Sequence, residues 1–180
     1  MSAATSDELE LLMLHIRDIK DYPKQGIVFK DITPLLQNAD ALKLAADVLT
    51  RPYNGQNIDV VVGLESRGFL FGPSIAQNLN AGFVPVRKPN KLPYKKIAAS
   101  YELEYGKDTV EMHNDAIKAG DRVLIHDDLI ATGGTAAAAT RLVTQLGGIV
   151  IGYSFLIDLT FLNGRQKLIN DTLYNAVISV

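Results

Sequence analysis

The residues best suited to chemistry lie between positions 123 and 135, which read Val-Leu-Ile-His-Asp-Asp-Leu-Ile-Ala-Thr-Gly-Gly-Thr. The apolar run predicts a strand that carries two adjacent carboxylates, Asp127 and Asp128, to its carboxyl end. A loop of small and hydroxylated residues follows, namely Ala131, Thr132, Gly133, Gly134 and Thr135. Small residues let backbone N–H groups close around an anion, and hydroxyls and a helix N-terminus add further donors. The segment therefore predicts a phosphate cradle.

The two carboxylates identify what lies beside the phosphate. They would repel it unless they faced another group, and vicinal ribose hydroxyls or Mg²⁺ both suit a carboxylate pair. No Gly-Lys-Ser/Thr follows the loop, which excludes a Walker loop, and the segment has no G-x-G-x-x-G dinucleotide fingerprint. The ligand inferred from these residues is a ribose 5-phosphate with a metal nearby.

Length and composition limit the remaining possibilities. The 180 residues predict a single domain, 1–180, and 47% hydrophobic with 21% charged residues is ordinary globular composition. The chain has no cysteine, which excludes disulfides, thiolate catalysis and iron–sulfur clusters. A net charge of −2 gives no pull toward nucleic acid or acidic membranes. No basic start precedes a long apolar run, so we expect a cytoplasmic protein that binds neither nucleic acid nor membrane.

Strand and helix patterns alternate from residue 58 onward, which predicts an α/β fold with a central parallel sheet flanked by helices. Strands are predicted at residues 58–63, 82–86, 122–126 and 149–157. Helices are predicted at residues 6–18, 40–50, 68–79 and 135–146, with Asp40 as a cap and Pro73 near a first turn. In such sheets ligands bind at the carboxyl ends of the strands, where the acid pair and the cradle are expected.

A polar excursion at residues 88–113 interrupts this alternation. It contains three lysines within 91–96 and a stretch at 99–106 that alternates with a period of two. We expect a β-hairpin, which is either a lid over the site or a plain surface hairpin.

Residues 123–135 resemble the signature of the type I phosphoribosyltransferase family, in which two acids precede Ala/Thr-Thr-Gly-Gly-Thr. His126 departs from the family pattern, which has an aliphatic residue there, and we expect a structural, hydrogen-bonded core histidine. Residues 26–34, 63–69 and 85–106 resemble, in the same order, the base-pocket, pyrophosphate-loop and flexible-loop segments of the adenine-using members. The resemblance implies that family's fold, with an N-terminal hood (1–36) and a flexible β-hairpin lid (88–113).

The same resemblance implies a reaction. It is the Mg²⁺-dependent transfer of the 5-phosphoribosyl group from phosphoribosyl pyrophosphate to adenine in purine salvage, which gives AMP and pyrophosphate. Mg²⁺ would be held mainly by substrate oxygens and water, without a metal-ligand set of the protein's own. A homodimer is implied, in which Arg87 reaches the partner's site. The alternatives are another purine or orotate phosphoribosyltransferase, or a sensor of phosphoribosyl pyrophosphate that lacks catalysis.

The resemblance also assigns roles to residues, and the acid pair would bind the ribose hydroxyls beside the 5′-phosphate in the cradle. The adenine-binding segment would be Val28, Phe29 and Lys30, with Lys30 where the family commonly has Arg. Glu65 and Ser66 would form the pyrophosphate loop, joined by a peptide that the family suggests is cis. Glu104 would exchange a proton with the base, and Tyr105 would cover the site.

The diphosphate of the donor needs positive partners. The basic residues that we expect to supply them are Arg67, Arg87, Lys88 and Lys91. Arg67 stands between a predicted strand and a predicted helix at the carboxyl edge of the sheet, which is where a bound diphosphate would meet it.

Overall fold

Apolar and β-branched segments along the chain form a five-stranded parallel sheet with helices on both faces. The structure is a computed structural model that describes residues 4–102 and 106–180. In those residues the strands are β1 (Arg17–Lys20), β2 (Val28–Asp31), β3 (Val60–Leu64), β4 (Gly82–Val86), β5 (Lys96–Glu102), β6 (Lys107–His113), β7 (Arg122–Ile130), β8 (Ile149–Asp158) and β9 (Leu173–Ser179). The α-helices there are α1 (Ser6–Leu14), α2 (Thr33–Gln37), α3 (Ala39–Thr50), α4 (Gly68–Leu79) and α5 (Gly134–Gln145).

The central sheet has the strand order β4-β3-β7-β8-β9, and every pair in it is parallel. Alternate residues of its strands enter different cores, as Val62 and Val61 do in β3. One core lies under α5 and the β5–β6 hairpin, and the other lies under α1, α3 and α4. The predicted parallel α/β sheet is therefore confirmed.

The N-terminal segment differs from the prediction. Helix α1 begins after Thr5, whose side chain forms a capping box with Glu8, but it ends at Leu14 rather than residue 18. Arg17 and Asp18 instead lie in β1, which pairs antiparallel with β2. Ion pairs between the two strands, such as Lys30 with Asp18 at 2.7 Å, accompany this ladder. The pairing with β2 is favoured over continuation of the helix, so the prediction of a helix as far as residue 18 was wrong after Leu14.

Two details of the other helices are also corrected. Asn38, not Asp40, caps α3, because its side chain accepts the N–H of Ala41 three residues ahead. Pro73 lies in the interior of α4 rather than near its first turn, because the chain turns into the helix directly after Arg67.

Strand β7 extends further than the predicted 122–126 and so carries the acid pair within it. Its pairing with β3 ends at Gly63 and His126, whereas its pairing with β8 continues to Ile130. Asp127 and Asp128 therefore lie where β7 extends beyond the end of its pairing with β3, so the sheet is open on that side of them. The predicted location of the pair at the carboxyl edge is confirmed.

The excursion contains the expected hairpin, in which β5 pairs antiparallel with β6 and packs against α5. Its flexibility stays a prediction, as do the limits proposed for the hood and the lid. Leu103, Glu104 and Tyr105 lie outside the described residues. Among the residues that are described, no helix is both long enough and apolar enough to span a bilayer.

Candidate functional site

The loop between β7 and α5 forms a small, tight cradle. Gly133 has φ +74°, a left-handed conformation that glycine adopts without strain. A Cβ on Gly133 would lie 2.2 Å from the carbonyl oxygen of Gly164, and one on Gly164 would lie 2.2 Å from that of Ala131. The two loops approach so closely that neither glycine has room for a side chain. The cavity here measures about 110 Å³ and is lined by residues 131–135 with Asp127.

The acid pair beside the cradle is held in an unusual electrostatic state. Asp128 is only 2% exposed, and its Oδ2 lies 3.1 Å from Nε of Arg67. Burial and the neighbouring Asp128 carboxylate together raise the pKa of Asp127 well above its ordinary value. Burial also raises the pKa of Asp128, although Arg67 opposes that rise. Hydroxyl donors or a divalent cation would relieve this strain between the two carboxylates.

Arg67 connects the acid pair to the N-terminal strands. Besides its ion pair with Asp128, its Nη1 donates to the carbonyl oxygen of Lys30 at 3.2 Å. Its guanidinium carbon lies 4.9 Å from the centre of the Phe29 ring, which also meets Tyr22 edge-on. One side chain thus touches the predicted ribose site and the predicted base segment.

A larger, mainly apolar cavity of about 590 Å³ adjoins the cradle at Thr132. Its other walls come from β1, from β2 and the two residues before it, from the segment after β8 and from the residue after β9. They are Asp18, Gly26, Ile27, Val28, Lys30, Leu159, Phe161, Leu162 and Val180. Its apolar walls and few polar groups suit a flat heterocycle. Sequence reasoning placed Val28 and Lys30 here. It missed Asp18, which depends on the pairing of β1 with β2, and Leu159, Phe161 and Leu162, which depend on how β8 ends.

The backbone of β2 can offer both a donor and an acceptor to this cavity. Within the described chain β2 pairs with β1 alone, so its other edge is open. In an antiparallel strand the N–H and C=O of one residue point to the same side, and residues two apart point alike. Because the carbonyl of Lys30 receives Arg67, we place the backbone groups of Lys30 and Val28 on the open edge.

The cations expected at the diphosphate lie together around internal carboxylates. Nε of Arg87 and the backbone N–H of Lys88 donate to Oε2 of Glu65, at 2.9 and 2.7 Å. Nζ of Lys91 donates to Oε1 of Glu65 at 2.6 Å. The ammonium group of Lys88 turns to Asp108 instead. The peptide that joins Glu65 to Ser66 is cis, as the family resemblance suggested.

Tyr101 joins the hairpin to the cradle, and sequence reasoning did not place it in the site. Its hydroxyl donates to Oδ2 of Asp108 at 3.0 Å and accepts from Nζ of Lys88 at 3.0 Å. It also lies 3.1 Å from Oγ1 of Thr135 in the cradle. The period-two pattern had shown only that Tyr101 occupies one face of the hairpin, and the contact itself depends on how the hairpin packs against α5.

His126 is a buried structural residue, as expected. Its Nδ1 lies 2.9 Å from the carbonyl oxygen of Ser154, which can only accept, so Nδ1 carries the proton. Burial lowers the pKa of His126 to about 4, which keeps the ring neutral. Glu104 and Tyr105, the predicted proton-exchange and covering residues, lie outside the described part of the chain.

Comparisons with known proteins point to one family. Residues 31–167 match the family model described as phosphoribosyl transferase domain. An adenine phosphoribosyltransferase of Flavobacterium johnsoniae is 62% identical over 154 residues, which are 86% of this chain and 91% of that protein. The crystal structure of the adenine phosphoribosyltransferase from Rhodothermus marinus is similar with a TM-score of 0.93 and 54% identity, over 98% of this chain and 100% of that one.

A further similar structure was solved with ligands bound. The adenine phosphoribosyltransferase of Saccharomyces cerevisiae, complexed with an imino-altritol bisphosphate and adenine, is similar with a TM-score of 0.89 and 42% identity. The similarity covers 96% of this chain and 99% of that one.

Proposed function

Because this chain belongs to the adenine phosphoribosyltransferase family, we propose that the edge of its sheet carries the family reaction in the manner described below. The enzyme transfers the 5-phosphoribosyl group of phosphoribosyl pyrophosphate to adenine in purine salvage, and AMP and pyrophosphate are the products. The observation that carries the assignment of the site is the adjacency of the cradle, the acid pair and the larger cavity along one edge.

Adenine occupies the 590 Å³ cavity in this proposal. It presents an amino donor at N6 and an acceptor at N1, so it needs one acceptor and one donor from the protein. The open edge of β2 offers both through the backbone of Val28 and Lys30. The side chain of Lys30 pairs with Asp18 and is not needed to read the base, which accounts for Lys where the family commonly has Arg.

The ribose 5-phosphate of the donor spans the acid pair and the cradle. Residues 131–135 hold the 5′-phosphate through backbone N–H groups and through the hydroxyls of Thr132 and Thr135. Asp127 and Asp128 accept hydrogen bonds from the 2′- and 3′-hydroxyls of the ribose. As the bond from C1′ to the diphosphate lengthens, positive charge develops on the ribose. The acid pair stabilises that charge once bound hydroxyl donors or a divalent cation have offset the repulsion between the two carboxylates.

Magnesium suits the groups present. Among the described residues, no three His, Asp or Glu side chains come together as a metal site. Mg²⁺ commonly uses one or two carboxylates with substrate phosphates and water, and the acid pair offers such oxygens. Bound with the donor, it would neutralise diphosphate charge as that group leaves.

The diphosphate lies against Arg67, Arg87, Lys91 and the backbone around Glu65 and Ser66 in this proposal. Lys88 adds positive charge beside it, while its ammonium group serves Asp108 and Tyr101 and its backbone N–H donates to Glu65. Glu104 exchanges the proton of the base, and Tyr105 covers the site when the hairpin closes. We further propose a cytoplasmic homodimer in which Arg87, paired with Glu65 of its own chain, reaches the diphosphate bound in the partner's site, so that each diphosphate meets the Arg87 of the other subunit.

A spectrophotometric screen of purine bases tests the activity and the base assignment together. The enzyme, phosphoribosyl pyrophosphate and Mg²⁺ are mixed with adenine, hypoxanthine, guanine or xanthine, and orotate is the non-purine control. We expect turnover with adenine, and no turnover with the other bases above about 10⁻⁴ of that rate, because mismatched buried polar groups discriminate strongly. Comparable turnover of another base would overturn the adenine pocket and leave phosphoribosyl transfer intact.

A further inference from the structure

Glu65 is a nearly buried carboxylate that gathers positive groups. Its side chain is 9% exposed, and it accepts hydrogen bonds from Arg87, Lys91 and the backbone N–H of Lys88. Although burial opposes its charge, these donors hold the pKa of Glu65 at about 2, so it is ionised wherever the protein is folded. The same positive groups are those that we assign to the diphosphate of the donor.

The two cationic side chains are bound to Glu65 in different ways. Arg87 uses Nε, and within the described residues its two terminal nitrogens make no hydrogen bond. Lys91 uses its single ammonium group and remains 50% exposed, so its tie to Glu65 is the more easily exchanged. A diphosphate arriving at this place meets cations whose charge is already partly neutralised.

We propose that Glu65 is an internal counter-ion that stands in for the diphosphate and competes with it for Lys91 and Arg87. This inference rests on the proposed function, since it takes the diphosphate to bind at these cations. The negative charge of Glu65 keeps the cations together before the donor binds. It also weakens the hold on pyrophosphate once that product has formed, which favours its release.

Glu65 weakens the binding of pyrophosphate because both carry negative charge. A carboxylate that shares cations with a bound anion repels that anion, and the repulsion is strongest where water is excluded. If Glu65 only positioned Arg87, removing its charge would have the opposite effect on pyrophosphate affinity. Arg87 would then be misplaced and pyrophosphate would bind more weakly. The sign of the change in pyrophosphate affinity therefore separates the two roles.

The test is Glu65→Gln, which removes the charge and keeps a similar shape. We expect the Kd for pyrophosphate, measured by calorimetry with Mg²⁺ and the full-length enzyme, to fall about tenfold. Glu8→Gln is the matched control, because Glu8 is also a carboxylate paired with an arginine, Arg51, at 2.9 Å, and it lies in α1 away from these cations. We expect its pyrophosphate Kd to stay within twofold of the unmodified enzyme.

An unchanged or higher Kd in Glu65→Gln would overturn the inference. Should that variant fail to fold, carbon-13 NMR of the glutamate carboxyls in the unmodified enzyme decides instead. The Glu65 resonance should move on saturation with Mg²⁺ and pyrophosphate while that of Glu8 stays, and an unmoved Glu65 resonance would overturn the inference. Failure of the proposed function looks different, since adenine and the donor would then give no AMP in the unmodified enzyme.

Discussion

The hydroxyl of Thr135 in the phosphate cradle donates a hydrogen bond to the hydroxyl of Tyr101, near the turn end of the hairpin, across 3.1 Å. The direction follows from the partners of Tyr101, whose only proton goes to the Asp108 carboxylate. Thr135 also has a single proton, so it cannot serve Tyr101 and a bound 5′-phosphate at once. Occupancy of the cradle and attachment of the hairpin are therefore coupled through one hydroxyl group.

Tyr101→Phe should break this coupling. Ribose 5-phosphate should bind about two- to twelvefold tighter by calorimetry, because the variant releases the Thr135 proton and one hydrogen bond is worth about 0.5–1.5 kcal/mol net. Amide exchange across β5 and β6 should become faster in the ligand-free protein. Ser100→Ala serves as the control, since it removes a hydrogen bond to Thr109 elsewhere in the same hairpin. Unchanged affinity and unchanged exchange in Tyr101→Phe would show that the contact carries no coupling.

The approach of two loops at the cradle gives a second prediction. Gly164→Ala would place a Cβ 2.2 Å from the carbonyl oxygen of Ala131, so backbone must move. We expect the KM for phosphoribosyl pyrophosphate to rise at least tenfold, about 1.4 kcal/mol, or the melting temperature to fall by several degrees. In Gly82→Ala, the control, the nearest contact would be an ordinary 3.7 Å. Equal behaviour of the two variants would contradict the tight cradle.

The raised pKa of Asp127 makes a prediction about stability. Between the ordinary pKa and the raised one, the folded protein holds a proton that the unfolded chain has lost. The free energy of unfolding therefore falls as pH rises through that interval. Asp127→Asn removes this cost, so the melting temperature of the ligand-free protein should rise at pH 8 and rise less at pH 5.

The same variant should lose activity, because the ribose loses an anionic partner. We expect AMP formation to fall at least tenfold, about 1.4 kcal/mol or more in the barrier. Asp40→Asn changes an exposed carboxylate in α3 and should alter neither quantity. A destabilised Asp127→Asn protein would contradict the raised pKa of Asp127, and near-normal kinetics would contradict its assignment to the ribose.

Local patterns in the sequence were sufficient for the cradle and for four of the five strands of the central sheet, but they did not predict β9. The apolar runs of β3, β4 and β8 and the limits of α4 follow from short-range signals, namely β-branched runs and turn residues. The cradle was predictable because its parts are consecutive in the chain. Its position at the carboxyl edge then follows from the parallel sheet.

The contacts that the sequence did not reveal are long-range. β1 was hidden because the apolar spacing of α1 continues to Ile16, and only pairing with β2 pulls Arg17 and Asp18 into a strand. The clash that excludes a side chain at Gly164 involves a loop about thirty residues earlier. Likewise, the sequence predicted Arg87 and Lys91 as cations but not their common partner Glu65, which depends on the packing of side chains.

The assignment of the adenine pocket depends on the backbone of Lys30, and this gives the last prediction. Lys30→Pro removes one N–H, and because that group lies on the open edge of β2, the ladder with β1 should survive. We expect turnover with adenine to fall at least a hundredfold, about 2.7 kcal/mol, since a donor to the base is lost. Binding of phosphoribosyl pyrophosphate should remain, because the cradle and the acid pair are untouched.

Lys30→Arg is the matched variant, since arginine keeps the N–H and can pair with Asp18 as lysine does at 2.7 Å. It should retain adenine turnover within about threefold, because that is near the 0.5 kcal/mol scale of surface substitutions. Melting temperatures of both variants check that the strand is intact. If Lys30→Pro turned over adenine normally, the base would be read elsewhere in the 590 Å³ cavity. If Lys30→Arg lost turnover instead, the side chain and not the backbone would be the reader.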